Sequence, residues 1–364
     1  MGLRAALQRV AQEQSTVYRS GLVGLTFSQE SRAMRVIVTD HAFPDLAIEE
    51  AIVTRAGATL IAAQTKDVAA LAAAVADADA VITQFAPVNA DVVAAMQRAR
   101  VIVRYGIGVD NVDLAAARAR GIPVCNVPDY CIDEVADHTL AFILALTRQV
   151  VPHTTAVHAG HWGLIGTPAS FGALCRMTVG VVGFGRIGRA VVRRLVAFGG
   201  RVLVSDPVAD AAAVIALGAE PASLDTLLAS SDLITLHCPS LPETKGLVNA
   251  RSIATMKPGV RIVNLSRGDL VDPAALCAAL DSGHVAGAAL DVFAPEPIPA
   301  GHPILGRSSV VLAAHIASVS AAAVQRLRST AAEIAVKALR GEPLPSVVNG
   351  VTGRAAASGV TPPA

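Results

Sequence analysis

Charged and titratable side chains follow apolar runs in the second half of the sequence. Arg267 follows RIVNLS, and His315 follows SVVLAA. Asp291 and Glu296 lie in AALDVFAPEP. Each alone has an ordinary structural explanation, such as a solvated arginine or a histidine that only donates a hydrogen bond. Together they supply a cation for a carboxylate or carbonyl, a proton carrier and an acid to tune it, so the set predicts acid–base chemistry.

A glycine triplet lies upstream, in GVVGFGRIGR at 180–189. An apolar strand runs into Gly183 and a helix leaves from Gly185, which is the context that gives such a triplet its meaning. Gly183 permits a tight turn, Gly185 lets the backbone approach a pyrophosphate, and Gly188 lets helix and strand pack closely. The free N–H groups at the start of the helix favour phosphate. The pattern predicts a dinucleotide site.

Asp206 ends the next strand, about 20 residues after the glycines, where such folds place an acid on the adenosine ribose. Its charge would repel a 2′-phosphate, which predicts NAD rather than NADP. Arg186 either contacts phosphate or faces solvent, and the sequence does not separate these alternatives.

Two series of short β-branched runs alternate with Ala-rich helical stretches, one from Met34 to Val127 and one from Thr178 to His315. Strands that are apolar throughout indicate parallel sheets covered on both faces. The sequence therefore predicts an α/β protein with two doubly wound parallel-sheet domains. Between the series, a helix at 134–148 with Asp133 as N-cap is apolar nearly all round, which indicates burial inside the chain or in a partner subunit. The segment 149–177 is expected to be a long excursion.

Composition narrows the partners. The net charge is +1 and the charges do not form runs, so a small molecule is expected rather than nucleic acid or a membrane surface. Five cysteines without a CxxC pair indicate reduced thiols in a cytoplasmic protein, and no metal site is expected. Residues 1–33 lack the apolar core of a signal peptide and read as a loosely ordered leader, and 350–364 as a tail.

Further motifs resemble those of the D-isomer-specific 2-hydroxyacid dehydrogenases, the group that includes 3-phosphoglycerate dehydrogenase. The resemblance extends from about Met34 to Asn349. The motifs are VRYGIGVDNVD (103–113), GIPVCNVP (121–128), DEVADHTLAFILAL (133–146), HCP (237–239), NLSRGDLVD (264–272), LDVFAPEP (290–297) and AHIAS (314–318).

The family resemblance implies a flavodoxin-like substrate domain at 34–133 and 316–349 and a Rossmann NAD-binding domain at 134–315, with the chain crossing back after the histidine. It also implies a homodimer, with Trp162 and the 134–148 helix in the interface.

The resemblance assigns roles to individual residues as well. Arg267 binds substrate, and Glu296 pairs with the acid/base His315. The backbone N–H groups of Ile107 and Gly108 hold the substrate carboxylate, and Asp291 meets the nicotinamide amide. Further residues implied to line the cofactor are Ile187, His237, Cys238, Pro239, Leu265, Ser266 and Ser318.

The function predicted on these grounds is NAD-dependent hydride transfer at C2 of a D-2-hydroxyacid or 2-keto acid. Two departures from the family pattern stand out: Ala314 precedes the histidine where proline is usual, and IASVS replaces the common IGG-x-x-T. The segment DYCIDEVADHTL is similar to the branch nearest the C-terminal-binding proteins, which are corepressors with the same fold. The alternative function is therefore an NAD-sensing scaffold.

Overall fold

The computed structural model describes residues 32–352. The predicted leader, apart from its last two residues, and most of the predicted tail lie outside the described residues. At the start of the described chain, Arg32 donates from Nη2 to the Asp77 carbonyl oxygen at 2.7 Å.

The first sheet has five parallel strands in the order β2-β1-β3-β4-β5. This is the flavodoxin-like order, as predicted. The strands are β1 (Met34–Val38), β2 (Ala58–Ala62), β3 (Ala80–Thr83), β4 (Ile102–Arg104) and β5 (Val124–Cys125), and the helices between them are α1 (Ala47–Arg55), α2 (Val68–Val75), α3 (Ala90–Ala95) and α4 (Leu114–Ala119).

The second sheet has seven parallel strands in the order β12-β11-β10-β9-β6-β7-β8, which is a Rossmann arrangement around the glycine-bearing β6. The two-residue β8 was not predicted, because so short a run carries no periodic signal. The strands are β6 (Thr178–Val182), β7 (Arg201–Ser205), β8 (Glu220–Pro221), β9 (Leu233–Leu236), β10 (Val260–Asn264), β11 (Val285–Leu290) and β12 (Val310–Leu312). The helices of this region, numbered after the two that join the sheets, are α7 (Arg186–Val196), α8 (Ala211–Ala216), α9 (Leu224–Ser230), α10 (Ala250–Thr255) and α11 (Pro273–Asp281).

Two helices join the sheets, α5 (Ile132–Thr147) and α6 (Val150–His158). Helix α5 begins earlier than predicted and its N-cap is Cys131, not Asp133, whose carboxylate instead accepts a hydrogen bond from Arg194 at 3.0 Å. Its apolar side chains pack within the chain against α7 and strands β10 to β12. Its hydrophobicity therefore needs no partner subunit. The start of the predicted excursion at 149–177 is instead helical, as α6. Pro152 does not prevent this, because it lies in the first turn of the helix, where the missing N–H would have no partner in the helix.

The chain returns to the first sheet through α12 (Ala321–Arg340), which packs against α1, β3 and β4. Beyond it, the buried Asn349 accepts the Val124 N–H at 3.1 Å and donates to the Ile122 carbonyl at 2.8 Å, which seals the edge at β5. These contacts support the domain boundaries expected from the sequence, and we propose 34–133 with 316–349 as one unit and 134–315 as the other.

Within residues 32–352, no single helix is long and apolar enough to cross a bilayer. Helices α5 and α6 together have the length and composition, but they meet at an angle of 66°.

Candidate active site

The carboxyl ends of the two sheets face each other across a cavity of about 600 Å³. Both chain crossings border it, so its lining comes from both domains. Most of the predicted site residues line this cavity: Ile107, Gly108, Gly185, Arg186, Ile187, His237, Cys238, Pro239, Leu265, Ser266, Arg267, Asp291, His315 and Ser318. The other four predicted residues lie outside this lining: Gly183, Gly188, Asp206 and Glu296.

The three glycines of the fingerprint meet different surroundings. Gly183 has a φ of +98°, and a Cβ there would lie 2.6 Å from the Cys238 backbone nitrogen. A Cβ on Gly188 would lie 2.1 Å from the Gly183 carbonyl oxygen, so this glycine is needed for the helix to pack on the strand. A Cβ on Gly185 would meet no heavy atom of the described chain within 4 Å. The space over Gly185 is therefore open, and Gly185 lines the cavity.

Helix α7 points its N-terminus into this space. The backbone N–H groups of Arg186 and Ile187 have no acceptor among residues 32–352. Asp206, directly after β7, accepts the Phe184 N–H at 2.7 Å and the Val208 N–H at 2.9 Å. The glycine loop, the free N–H groups and the fixed acid together fit a dinucleotide with its pyrophosphate over Gly185.

The HCP turn presents its backbone rather than its titratable side chains. Burial lowers the pKa of His237 to about 4, and its Nε2 lies 2.9 Å from Thr235 Oγ1, so the ring is neutral. Burial also raises the pKa of the Cys238 thiol to about 11. The Cys238 carbonyl accepts a hydrogen bond from Ser266 Oγ. Neither side chain in this turn offers a charge or a nucleophile at neutral pH.

His315 and Glu296 form a hydrogen-bonded pair, with 2.7 Å between Nδ1 and Oε2. The other oxygen of Glu296 accepts the Phe293 N–H at 2.8 Å. Desolvation alone would raise the pKa of Glu296, but the hydrogen bonds from His315 and Phe293 and the nearby charges outweigh it and leave that pKa below its ordinary value. Glu296 is therefore ionised at neutral pH, and Nε2 of His315 is left for the cavity.

The backbone of His315 lies in the left-handed region, with a φ of 54°, which residues other than glycine seldom adopt. Asp291, only 1% exposed, holds it there. The Asp291 carbonyl accepts the His315 N–H at 2.8 Å, and its two carboxylate oxygens accept the N–H groups of Ile316 and Ala317 at 2.9 Å each. Asp291 thus positions the histidine as well as lining the cavity, a role that the sequence did not predict.

Arg267 reaches across the cavity to the first domain. Its Nε donates to Asp110 Oδ2 at 2.7 Å, and its Nη1 donates to the Ser266 carbonyl at 2.8 Å. Its Nη2 lies against Gly108, where an added Cβ would be 1.5 Å away. The guanidinium therefore lies directly on the loop that was predicted to bind the substrate carboxylate.

That loop, residues 106–108, is held by its carbonyl groups. Val127 N–H donates to the Gly106 carbonyl at 3.0 Å, and the Asn126 side chain donates to the Ile107 carbonyl at 2.6 Å. The N–H groups of Ile107 and Gly108 have no acceptor in the described part of the chain. Two donors are thus left for an anion beside Arg267.

Arg104 lies at the end of β4 and lines the same cavity, although it is not among the site residues predicted from the sequence. Burial and the charge of Arg267 lower its pKa, and its Nε is buried without a hydrogen-bond partner within residues 32–352. The signal was available, because Arg104 ends a strand of a parallel sheet just as Arg267 follows one. It is a second cation in a cavity that already contains Arg267.

Comparisons with known proteins agree with this geometry. Residues 140–317 match the family model for the D-isomer specific 2-hydroxyacid dehydrogenase, NAD binding domain. The chain is 38% identical over 278 residues to a glyoxylate reductase of Korarchaeum cryptofilum, covering 76% of this chain and 84% of the relative. A crystal structure of the Aquifex aeolicus D-lactate dehydrogenase complexed with NAD and lactic acid superposes with a TM-score of 0.77 at 28% identity, over 84% of this chain and 96% of that one.

The chain belongs to the D-isomer specific 2-hydroxyacid dehydrogenase family, and its second domain is the family's NAD-binding domain. This confirms the predicted family, fold class and cofactor. The chain is also 43% identical over 282 residues to the D-3-phosphoglycerate dehydrogenase of Mycobacterium leprae. That match covers 77% of this chain but 52% of the relative, so the chain spans about half the length of that enzyme.

A pair of substitutions separates space kept for the cofactor from space needed for folding. We expect Gly185→Ala to leave the melting temperature unchanged, because the added methyl group meets no atom of the described chain. It should weaken NADH binding at least about tenfold, because the methyl group occupies cavity space assigned to the pyrophosphate. Gly188→Ala should lower the melting temperature by several degrees, because its methyl group would overlap the backbone. Calorimetric titration of NADH and thermal unfolding measure both. Unchanged NADH affinity in Gly185→Ala would contradict the assignment.

Proposed function

We propose that this protein is an NAD-dependent D-2-hydroxyacid dehydrogenase that interconverts a D-2-hydroxyacid and its 2-keto acid. One observation carries the proposal. The His315–Glu296 pair and Arg267 meet the unbonded N–H groups of loop 106–108 in one cavity, which also contains the open face of Gly185. An acid, a cation and two amide donors at one point are what a 2-keto acid requires.

In keto-acid reduction, His315 acts as the general acid at the keto oxygen, because Glu296 Oε2 holds its Nδ1 at 2.7 Å and leaves Nε2 for the substrate. Arg267 stabilises the negative charge that develops on that oxygen, and its planar fork also contacts the carboxylate. When bound, the nicotinamide supplies the hydride that C2 receives. In the reverse direction, neutral His315 accepts the hydroxyl proton.

The substrate carboxylate binds to the Ile107 and Gly108 N–H groups, between the two arginines. Arg104 adds a positive charge, and the like charge of Arg267 is close enough to lower the pKa of Arg104. An anion between the two guanidinium groups relieves that repulsion. Because loop and Arg267 belong to different domains, the site is complete only when the cleft is closed.

On the cofactor side, we propose that Asp206 receives the ribose hydroxyls and excludes a 2′-phosphate, so that NAD is preferred over NADP. Arg186 is exposed at the pyrophosphate end of the cavity and is assigned to the phosphates. Asp291 retains lone pairs beyond those used by Ile316 and Ala317, which are assigned to the nicotinamide amide. The backbone of the HCP turn and Pro239 flank the adenine.

The kinetic test uses a panel of 2-keto acids with NADH and NADPH in parallel. We expect oxidation of NADH with at least one keto acid, and much slower oxidation of NADPH. His315→Gln should lower kcat by about a hundredfold or more, because the proton donor is lost, while the affinity for NADH stays nearly unchanged. The matched control is His284→Gln. His284 directly precedes β11 and does not line the cavity, so this variant should behave as wild type.

The alternative, an NAD-sensing scaffold, makes the opposite statement. It takes the lead if NADH binds tightly and no keto acid of the panel is reduced above a trace rate. Equal use of NADH and NADPH would contradict only the role proposed for Asp206 and not the rest of the proposed function.

The pH dependence tests the His315–Glu296 pair. Reduction needs the imidazolium, so its rate declines as pH rises. The lowered pKa of Glu296 keeps it ionised over that range, so that Glu296→Gln removes a negative charge 2.7 Å from His315 Nδ1. In Glu296→Gln the decline should therefore occur at lower pH, with the rate approaching that of wild type in acid. The exposed Glu243→Gln is the control, and a decline that moves to higher pH would refute the pairing.

Assembly is a separate proposal. Exposed apolar side chains cluster from α6 to residue 165, where Trp162 is 93% exposed and Val157 is 50% exposed. A patch of this kind is typical of an interface. We infer that a second copy of the chain covers it, in a homodimer, and that the protein is cytoplasmic. Sedimentation velocity should give twice the chain mass for wild type and the monomer mass for Val157→Asp. A monomeric wild type would exclude the dimer, and cell fractionation tests the location.

A further inference from the structure

A buried ion pair that does not line the cavity lies beside Tyr105, the residue before loop 106–108. Glu49 of α1 is fully buried, and Arg328 of α12 is 5% exposed. Arg328 donates from Nε to Glu49 Oε1 at 2.9 Å and from Nη2 to Oε2 at 2.7 Å, which is the bidentate geometry that fixes both planes. Neither group takes part in the proposed chemistry.

Tyr105 completes the cluster. Its side chain is also buried, and its hydroxyl donates to Glu49 Oε1 at 3.0 Å. The ring of Phe43 packs edge-on against the Tyr105 ring at 5.3 Å, and the Arg328 guanidinium lies 5.0 Å from the centre of the Phe43 ring. Asp45 accepts a further hydrogen bond from Arg328 at 3.0 Å. Every charged group in this interior is therefore partnered.

Such a cluster is not required merely to join helices. Well-packed apolar side chains of similar volume hold helices together at least as well as a buried ion pair does. What the ion pair adds is direction, because the two hydrogen bonds leave Glu49 one orientation, and Glu49 in turn fixes the Tyr105 hydroxyl.

The position of Tyr105 gives that direction a use. Tyr105 is the last residue before Gly106, and its N–H continues the ladder to the Thr83 carbonyl at 2.8 Å. The loop that follows presents the free N–H groups of Ile107 and Gly108. At the other end of the cluster, Arg328 lies on α12, whose N-cap is Ser320. The cluster therefore joins the residue that leads into the loop to the helix by which the chain returns to the first sheet.

We propose that Glu49, Tyr105 and Arg328 are positioning residues for loop 106–108, acting through the Tyr105 hydroxyl on the direction of its two N–H donors. The inference rests on the proposed function, since it takes the loop to bind the substrate carboxylate. None of the three side chains touches the substrate. Their effect is on binding of the keto acid, in the ground state and transition state alike, which changes KM and not kcat.

The test is Tyr105→Phe, which keeps the ring and its packing on Phe43 and removes only the hydroxyl. We expect KM for the best keto acid to rise about tenfold, as for loss of one hydrogen bond to a charged group, with kcat within about twofold and NADH affinity unchanged. Hydrogen exchange in a peptide that spans 106–113 should become faster. Arg328→Lys keeps the charge but not the fork, and should act in the same direction.

The matched control is Asp79→Asn. Asp79 directly precedes β3 of the same sheet, at the amino ends of the strands, whereas Tyr105 follows β4 at their carboxyl ends. Asp79 is a buried carboxylate too, accepting the Arg35 N–H at 2.9 Å and both Arg98 donors at 3.2 Å. Its loss should lower the melting temperature without moving KM or the exchange of the loop. A merely structural role for the Glu49 cluster predicts the same behaviour for Tyr105→Phe.

Tyr105→Phe with unchanged KM and unchanged loop exchange would overturn the inference, whatever its melting temperature, and it decides alone if Arg328→Lys does not fold. If wild type reduces no keto acid, the proposed function fails separately. Loop exchange then decides: faster in Tyr105→Phe but not in Asp79→Asn supports the positioning role, and no difference between them refutes it.

Discussion

Asp291 directly follows β11, and its carboxylate lies beside the segment after β12 at which the chain leaves the second sheet for the first. Its two oxygens bind the N–H groups of Ile316 and Ala317, and charge-assisted bonds of this kind are about twice as strong as neutral ones. They hold His315 in its left-handed conformation and set the direction in which α12 departs. The place of His315 and the return of the chain to the first domain thus depend on one buried acid.

Two parallel sheets with facing carboxyl ends place strand-end loops of both sheets on one cavity. Neither domain holds a complete site, since loop 106–108 belongs to the first sheet while Arg267 and His315 follow strands of the second. The ion pair between Arg267 and Asp110 already spans the two domains. The two crossings are adjacent, since Ser320 Oγ donates to Glu134 Oε1 at 2.7 Å, and joining the domains at both keeps the faces opposed.

Local patterns were enough to predict both sheets and the glycine loop, because strand period and glycine spacing are properties of neighbouring residues. The start of α5 and the two-residue β8 were missed, since neither leaves a distinct local signal. Arg104 was predictable as a site residue, because it lies at the carboxyl end of a parallel strand in the first domain, as Arg267 and His315 do in the second. The cluster at Glu49 could not, because its members are brought together only by folding, 279 residues apart in the case of Glu49 and Arg328.

The arginines of the cavity differ in whether their charge is balanced. Asp110 neutralises Arg267 at 2.7 Å, whereas Arg104 has no carboxylate in hydrogen-bond contact within residues 32–352. The two arginines beside loop 106–108 thus carry one positive charge that no hydrogen-bonded carboxylate balances. A monoanion bound between them would balance it, while a neutral molecule of the same shape would leave a partly desolvated cation behind. For the proposed keto-acid substrate, this charge would favour an anion over a neutral molecule of the same shape, most strongly at low ionic strength.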